Sequence, residues 1–164
     1  MALGYAESLQ MNGCQMESLN ISRFDLTGFN VRTKNEDEMD PNTAKISHLW
    51  EIFYSQAAPS LTEHSHVYGV YCNYESDHNG EYDVFACSNT EELRKIDGTK
   101  DLEIQSGKYL KFSAKGEMPK AVIDLWGEIW RYFSSEDCPF SRAYTTDFEF
   151  YKSDNEVEIS ISIE

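Results

Sequence analysis

Val157, Ile159, Ile161 and Ile163 alternate with Glu158, Ser160 and Ser162 near the end of the chain. A period of two predicts a β-strand over 156–164, with one buried and one wetter face. Two other stretches have a period nearer 3.6. Ile46, Leu49, Trp50, Phe53 and Tyr54 form one apolar stripe, and Val122, Leu125, Trp126, Ile129, Trp130 and Phe133 form a second. Each predicts an amphipathic helix. Asp40 is a candidate N-cap for the first helix, with Pro41 at its first position, and Pro119 can open the second. Pro59 lies past the end of the first.

Residues 67–75 and 81–88 are rich in Tyr and Val and flank Ser76-Asp77-His78-Asn79-Gly80. This predicts a hairpin whose Asn-Gly pair tolerates positive φ. Strand character also runs through 19–32 with a break near Gly28, through 108–114, and through 145–151. Residues 35–40 read as an acidic loop, 91–106 as a polar connector with a helical turn, and 152–155 as a turn.

The elements recur in order. Trp50 and Trp126 are 76 positions apart, and the same offset carries Ile46, Leu49, Phe53 and Tyr54 onto Val122, Leu125, Ile129 and Trp130. It also carries the first hairpin onto the second without a gap, and only the loop before the first helix is longer. The expected fold is α+β: duplicated strand–helix–hairpin units form an antiparallel sheet with two helices and a central ligand cleft. Residues 1–15 read as a lead segment, flexible or a short helix. Residues 16–164 read as a single domain with halves of about 16–90 and 105–164.

Composition narrows the function. Fourteen Lys and Arg against 29 Asp and Glu give a formal net charge of −15. Such a surface repels phosphate backbones and argues against direct nucleic-acid binding. The start of the chain does not resemble a secretory signal, and no apolar run is long enough for a membrane helix. A cytoplasmic protein with reduced thiols at Cys14, Cys72, Cys87 and Cys138 is expected, and the Asn20 sequon is read as chance. Glu63-His64-Ser65-His66 resembles a short metal clip, but no matching ligands stand at diagnostic spacing, so no metal and no cofactor are expected. Nucleotide-binding and nucleophile-elbow motifs do not occur.

The most informative segment is Asp147-Phe148-Glu149-Phe150-Tyr151. In a strand, Phe148 and Phe150 point one way while Asp147, Glu149 and Tyr151 point the other. Glu149 is then either a solvated acid on a wet face or a carboxylate among aromatic rings. The second arrangement suits a lipophilic cation, to which ring faces add about 0.5–2 kcal/mol each. Trp50 and Trp126 are either core or symmetric flanks of a groove. Tyr71 stands opposite Asp147 in the repeat and can share the groove face with Glu149 and Tyr151. Phe53 joins this candidate set, although it and Tyr54 are core by default.

The order of these elements resembles the GyrI-like domain, the effector-binding domain of some AraC-type and MerR-type transcription regulators. That domain also occurs as stand-alone proteins, including integron cassette products. The resemblance covers about 16–164 and is strongest at Leu49-Trp50-x-x-Phe53 and Asp147-Phe148-Glu149-x-Tyr151. It implies a two-repeat α+β fold with a cleft for small molecules, often hydrophobic cations. Glu149 matches the acidic residue on which such ligands are centred, and Trp50 a cleft-lining aromatic. Trp126 is a weaker match. The regulators carry a helix-turn-helix domain ahead of this one, and the 15 or so residues here are too few for it.

Three functions follow as alternatives. The first is a stand-alone binding protein for lipophilic cationic compounds. The second, implied by hydrolase-like members of the family, makes Glu149 a general base, Trp50 a substrate wall and Tyr71 or Tyr151 a donor. The third is an acidic protein-interaction module of the gyrase-inhibitor type, motivated by residues 36–40 and the net charge. A homodimer or a protein partner is compatible with all three.

Overall fold

A computed structural model describes the backbone of residues 8–11 and 14–164, and side chains from Met16 onward. The strands are β1 (Ser8–Met11), β2 (Cys14–Ile21), β3 (Phe24–Thr33), β4 (Val67–Cys72), β5 (Tyr82–Ser88), β6 (Lys100–Ile104), β7 (Gly107–Lys115), β8 (Thr146–Ser153) and β9 (Glu156–Ile163). The helices are α1 (Asn35–Glu38), α2 (Ile46–Ala57) and α3 (Lys120–Ser134). The nine strands join one antiparallel sheet in the order β1-β2-β7-β9-β8-β4-β5-β3-β6.

The duplication is visible in that order. One unit contributes β4-β5-β3 with α2, the other β8-β9-β7 with α3, and they meet where β4 pairs with β8. Tyr71 and Asp147, related by the 76-residue offset, are direct cross-strand partners. The pseudo-two-fold axis therefore passes between them.

Both helices cover the same sheet face. Leu49, Phe53 and Ala57 of α2 pack on Phe29, Val84 and Ala86, while Val122, Leu125 and Ile129 of α3 pack on Leu110, Phe112, Ile159 and Ile161. Full burial of each large apolar side chain contributes about 1.5–3 kcal/mol. The other face curls on itself around Leu26, Val70, Phe85, Ile104, Tyr109 and Phe148. Phe24 of β3 lies 5.7 Å from Phe148 of β8 although two strands stand between them. Only a strongly coiled sheet permits that contact.

Several details differ from expectation. The strand expected to break near Gly28 instead turns between β2 and β3, at Ser22-Arg23. Gly28 sits inside β3, where a Cβ would lie 2.1 Å from the Ala86 carbonyl oxygen, so the glycine permits a close backbone approach. Helix α2 begins at Ile46 rather than Pro41. The acidic stretch makes the one-turn helix α1 and delivers the Glu38 carboxylate to the Lys45 and Ile46 amides, at 2.9 and 3.0 Å. Glu38 thus supplies the cap expected of Asp40, from outside the helix. The left-handed residue of the first hairpin is Asn73 (φ 50°), not Asn79 or Gly80.

The wetter face expected of β9 is dry at Ser160 and Ser162, which are 3% and 2% exposed because the sheet curls over them. The connector over 91–106 contains a 3-10 turn at Glu91–Lys95 and the strand β6, which pairs with β3 at the sheet edge. Within the expected lead segment, Ser8–Met11 pair with β2, and residues 1–7 and 12–13 lie outside the described residues.

Candidate functional site

Helices α2 and α3 leave a gap over the central β4–β8 pair, and Glu149 stands at its floor. The residue is 4% exposed. Its Oε2 accepts hydrogen bonds from Trp126 Nε1 at 2.7 Å and from the Tyr71 hydroxyl at 3.0 Å. Its Oε1 accepts one from the Tyr151 hydroxyl at 2.9 Å. The period of two in β8 puts Tyr151 beside Glu149 on one face, and the cross-strand register brings Tyr71 alongside from β4.

The direct partner of Glu149 on β4 is Gly69. A Cβ at Gly69 would come within 2.3 Å of Glu149 Oε1 and 3.1 Å of Trp50 Cζ2. The carboxylate therefore occupies the space that a side chain on the neighbouring strand would fill. Trp50, on α2, meets Tyr151 edge to face at 5.5 Å, and Trp126, on α3, meets Tyr71 similarly at 5.2 Å. The two repeat-related tryptophans flank the floor, but their roles differ. Trp126 donates a hydrogen bond to the acid, while Trp50 supplies a ring wall.

Burial pushes the Glu149 carboxyl above the ordinary carboxylate range, and the three donors pull it partly back. Burial and the neighbouring Glu149 charge together push the Tyr71 and Tyr151 hydroxyls up, so both remain protonated donors. Among the described residues, no Lys, Arg or His forms an ion pair with Glu149.

Asp147, two residues away on the same strand face, is the contrast. It is fully buried and bonded to Arg142 Nη2 (2.7 Å), the Tyr74 hydroxyl (2.5 Å), and the Ser162 amide and hydroxyl (2.8 and 3.0 Å). One buried acid has its cation built in, and the other has only neutral donors.

Above Glu149 opens a cleft of about 620 Å³, walled by Trp50 and Tyr54 on one side and by Val122, Ile123 and Trp126 on the other. Its size and mostly apolar lining with a few convergent polar groups are those of a small-molecule site. Glu149, Trp50, Tyr71, Trp126 and Tyr151 all line it. Phe53 does not. It is 0% exposed and packs behind Trp50 at 5.6 Å, because its helical position faces the sheet.

His64 stands beside Glu63 in an exposed loop, and His66 lies against the Phe150 ring. Among the described residues no three His, Cys, Asp or Glu side chains are grouped to hold a metal. Burial pushes the Cys72 thiol up to about 12 and Cys87 up as well, which removes both as nucleophiles at neutral pH.

Gly69, Glu38, Tyr74 and Arg142 were not among the expected site residues. Gly69 left a trace, since a glycine inside a Tyr- and Val-rich strand marks a close approach by another group. Arg142 left none, because it lies in an irregular segment with no period to place it.

Residues 20–163 match the Cass2 family, the integron-associated effector binding proteins. An integron cassette protein from the mobile metagenome of Vibrio cholerae is 56% identical, with a TM-score of 0.87 over 91% of this chain and 95% of that one. YobU of Bacillus subtilis (strain 168) is 28% identical over 140 residues, which are 81% of this chain and 82% of YobU. The structure of SAV2435 bound to tetraphenylphosphonium shares the fold at 18% identity, with a TM-score of 0.65 over 91% of this chain and 93% of that one. No helix among the described residues is long and apolar enough to cross a membrane. By its sequence match and its duplicated sheet with a central cleft, the chain belongs to the Cass2 integron-associated effector binding family, within the GyrI-like fold.

Proposed function

We propose that the effector is a lipophilic cation and that Glu149 is its counter-charge. One observation carries this reading: Glu149 is a buried carboxylate with three neutral hydrogen-bond donors and no cationic partner among the described residues, at the floor of an aromatic cleft. An isolated buried carboxylate costs several kcal/mol. A ligand cation that enters the cleft relieves that cost, and Trp50, Tyr71, Trp126 and Tyr151 supply apolar contact and ring faces. The bound state of SAV2435, a protein of similar fold, gives a suitable probe in tetraphenylphosphonium.

Titration of tetraphenylphosphonium, followed by quenching of tryptophan fluorescence, tests the reading. Wild-type protein is expected to bind at micromolar strength. Glu149→Gln keeps the side-chain volume and removes the charge. It is expected to weaken binding at least tenfold, about 1.4 kcal/mol. Equal affinity in the two proteins would remove the carboxylate from the mechanism.

A further inference from the structure

The buried pair Arg142–Asp147 is not explained by a site centred on Glu149 alone. Arg142 lies in the segment between α3 and β8, and its side chain is 11% exposed. A guanidinium carries five N–H donors. Here Nη2 is committed to Asp147, Nε is buried with no partner, and the planar group lies 4.5 Å from the Tyr144 ring centre. Tyr144 holds a left-handed backbone (φ 54°), an uncommon conformation for a non-glycine residue. The chain accepts that conformation where its ring supports the guanidinium.

Arg142 also faces open space. A cavity of about 150 Å³ lies between α1, the β4–β5 hairpin and α3, with Tyr74, His78, Trp130 and Arg142 in its wall. Glu38, Ile46, Tyr71 and Trp126 belong both to this wall and to that of the main cleft. The two spaces are therefore neighbours that share the Tyr71–Trp126 ring pair. Glu149 and Asp147 are two residues apart along β8, roughly 7 Å. Asp147 is fully buried, and Glu38, the other carboxylate in this wall, is held by the Thr33 hydroxyl and the Lys45 and Ile46 amides, so the group with donors to spare at this end of the groove is the guanidinium. The combined cleft has a carboxylate at Glu149 and, at its other end, the Arg142 guanidinium paired with Asp147.

We propose that this annex is a second compartment of the ligand site, in which Arg142 receives a carboxylate carried by the molecule whose cationic end faces Glu149. The effector class is then a lipophilic zwitterion rather than a simple cation. The inference rests on the cation reading above for the Glu149 end only. Arg142 can present its free donors to a planar carboxylate, and Tyr74 and Trp130 add aromatic walls beside the contact.

A matched pair of probes tests it: pentyltriphenylphosphonium and (4-carboxybutyl)triphenylphosphonium, which differ by a terminal carboxylate. With a net charge of −15 the protein's overall field opposes that added negative charge. Without the annex the carboxylated probe binds more weakly. With it, wild-type protein binds the carboxylated probe at least fivefold more tightly. Glu149→Gln weakens both probes and leaves their ratio in place. The double variant Arg142→Gln/Asp147→Asn removes the pair without stranding a buried acid, and the ratio collapses to one or below.

A wild-type ratio at or below one overturns the inference, and needs no variant to fold. So does a ratio that survives the double variant. If pentyltriphenylphosphonium binds in a Glu149-dependent way and no preference is found, only the annex falls. If neither probe binds, or Glu149→Gln leaves the pentyl probe untouched, the cation reading falls and takes the annex with it.

Discussion

Gly69→Ala adds one methyl group at the point where β4 makes room for the Glu149 carboxylate. Gly69 has no left-handed φ, so the substitution carries no backbone strain of its own. In a strand, alanine is favoured over glycine by about 0.5–1 kcal/mol. The new Cβ, however, would stand 2.3 Å from Glu149 Oε1, and the carboxylate must move. Moving it breaks the 2.9 Å bond from Tyr151, and a hydrogen bond to a charged group is worth about 1.5–3 kcal/mol. The net expectation is a loss of about 1–2 kcal/mol in stability.

The Glu149→Ala background separates this mechanism from general crowding. There the clashing oxygen is gone, and the nearest remaining atom of another residue is Trp50 Cζ2 at 3.1 Å. Gly69→Ala should then be neutral or stabilising by up to about 1 kcal/mol. Urea denaturation of the four proteins gives the coupling energy, expected at about 1.5–3 kcal/mol. Tetraphenylphosphonium affinity of the single variant should fall at least tenfold, about 1.4 kcal/mol, because the counter-charge is displaced. Equal destabilisation in both backgrounds, with unchanged affinity, would refute the assignment of Gly69 as the seat of the carboxylate.

Two further outcomes follow from the same geometry. The folded protein holds the Glu149 proton more tightly than the unfolded chain, so stability from this group is lost as pH rises from about 4.5 through the raised folded value. Calorimetry should find Glu149→Gln gaining thermal stability relative to wild type across that window. Over the same window cation affinity of the wild type rises and that of the variant stays flat. Phe53→Ala, at a fully buried position outside the cleft, should cost about 3–5 kcal/mol in denaturation while the folded fraction keeps its cation affinity.

Much of this architecture is legible in the sequence because duplication doubles every signal. The tryptophan-bearing stripes fix both helices, and one offset relates the hairpins, so the antiparallel α+β sheet and its central groove follow from pattern alone. The Asp147–Tyr151 segment singles out Glu149 by a simple conflict between a carboxylate and an aromatic strand. The misplacements have physical causes. Helix α2 is capped by Glu38 from a preceding turn, a contact that no local cap pattern encodes. Ser160 and Ser162 look solvated in sequence and are dry because the sheet curls, a property of the whole fold. Phe53 and Trp50 lie on one apolar stripe, and a stripe does not say which of its members reaches past the sheet into the gap between two helices. Arg142 depends on a long-range pairing with Asp147 that periodicity does not report.

The central claim is that Glu149 is a buried acid kept for an incoming cation. Its side-chain carboxyl carbon can be followed by NMR through a pH titration, with Glu149→Gln to assign the signal. In the free protein the midpoint is expected above the ordinary carboxylate range. Saturating tetraphenylphosphonium is expected to bring it down, because a positive charge beside the carboxylate favours the ionised form. A midpoint that stays in place when the cation binds would contradict the account.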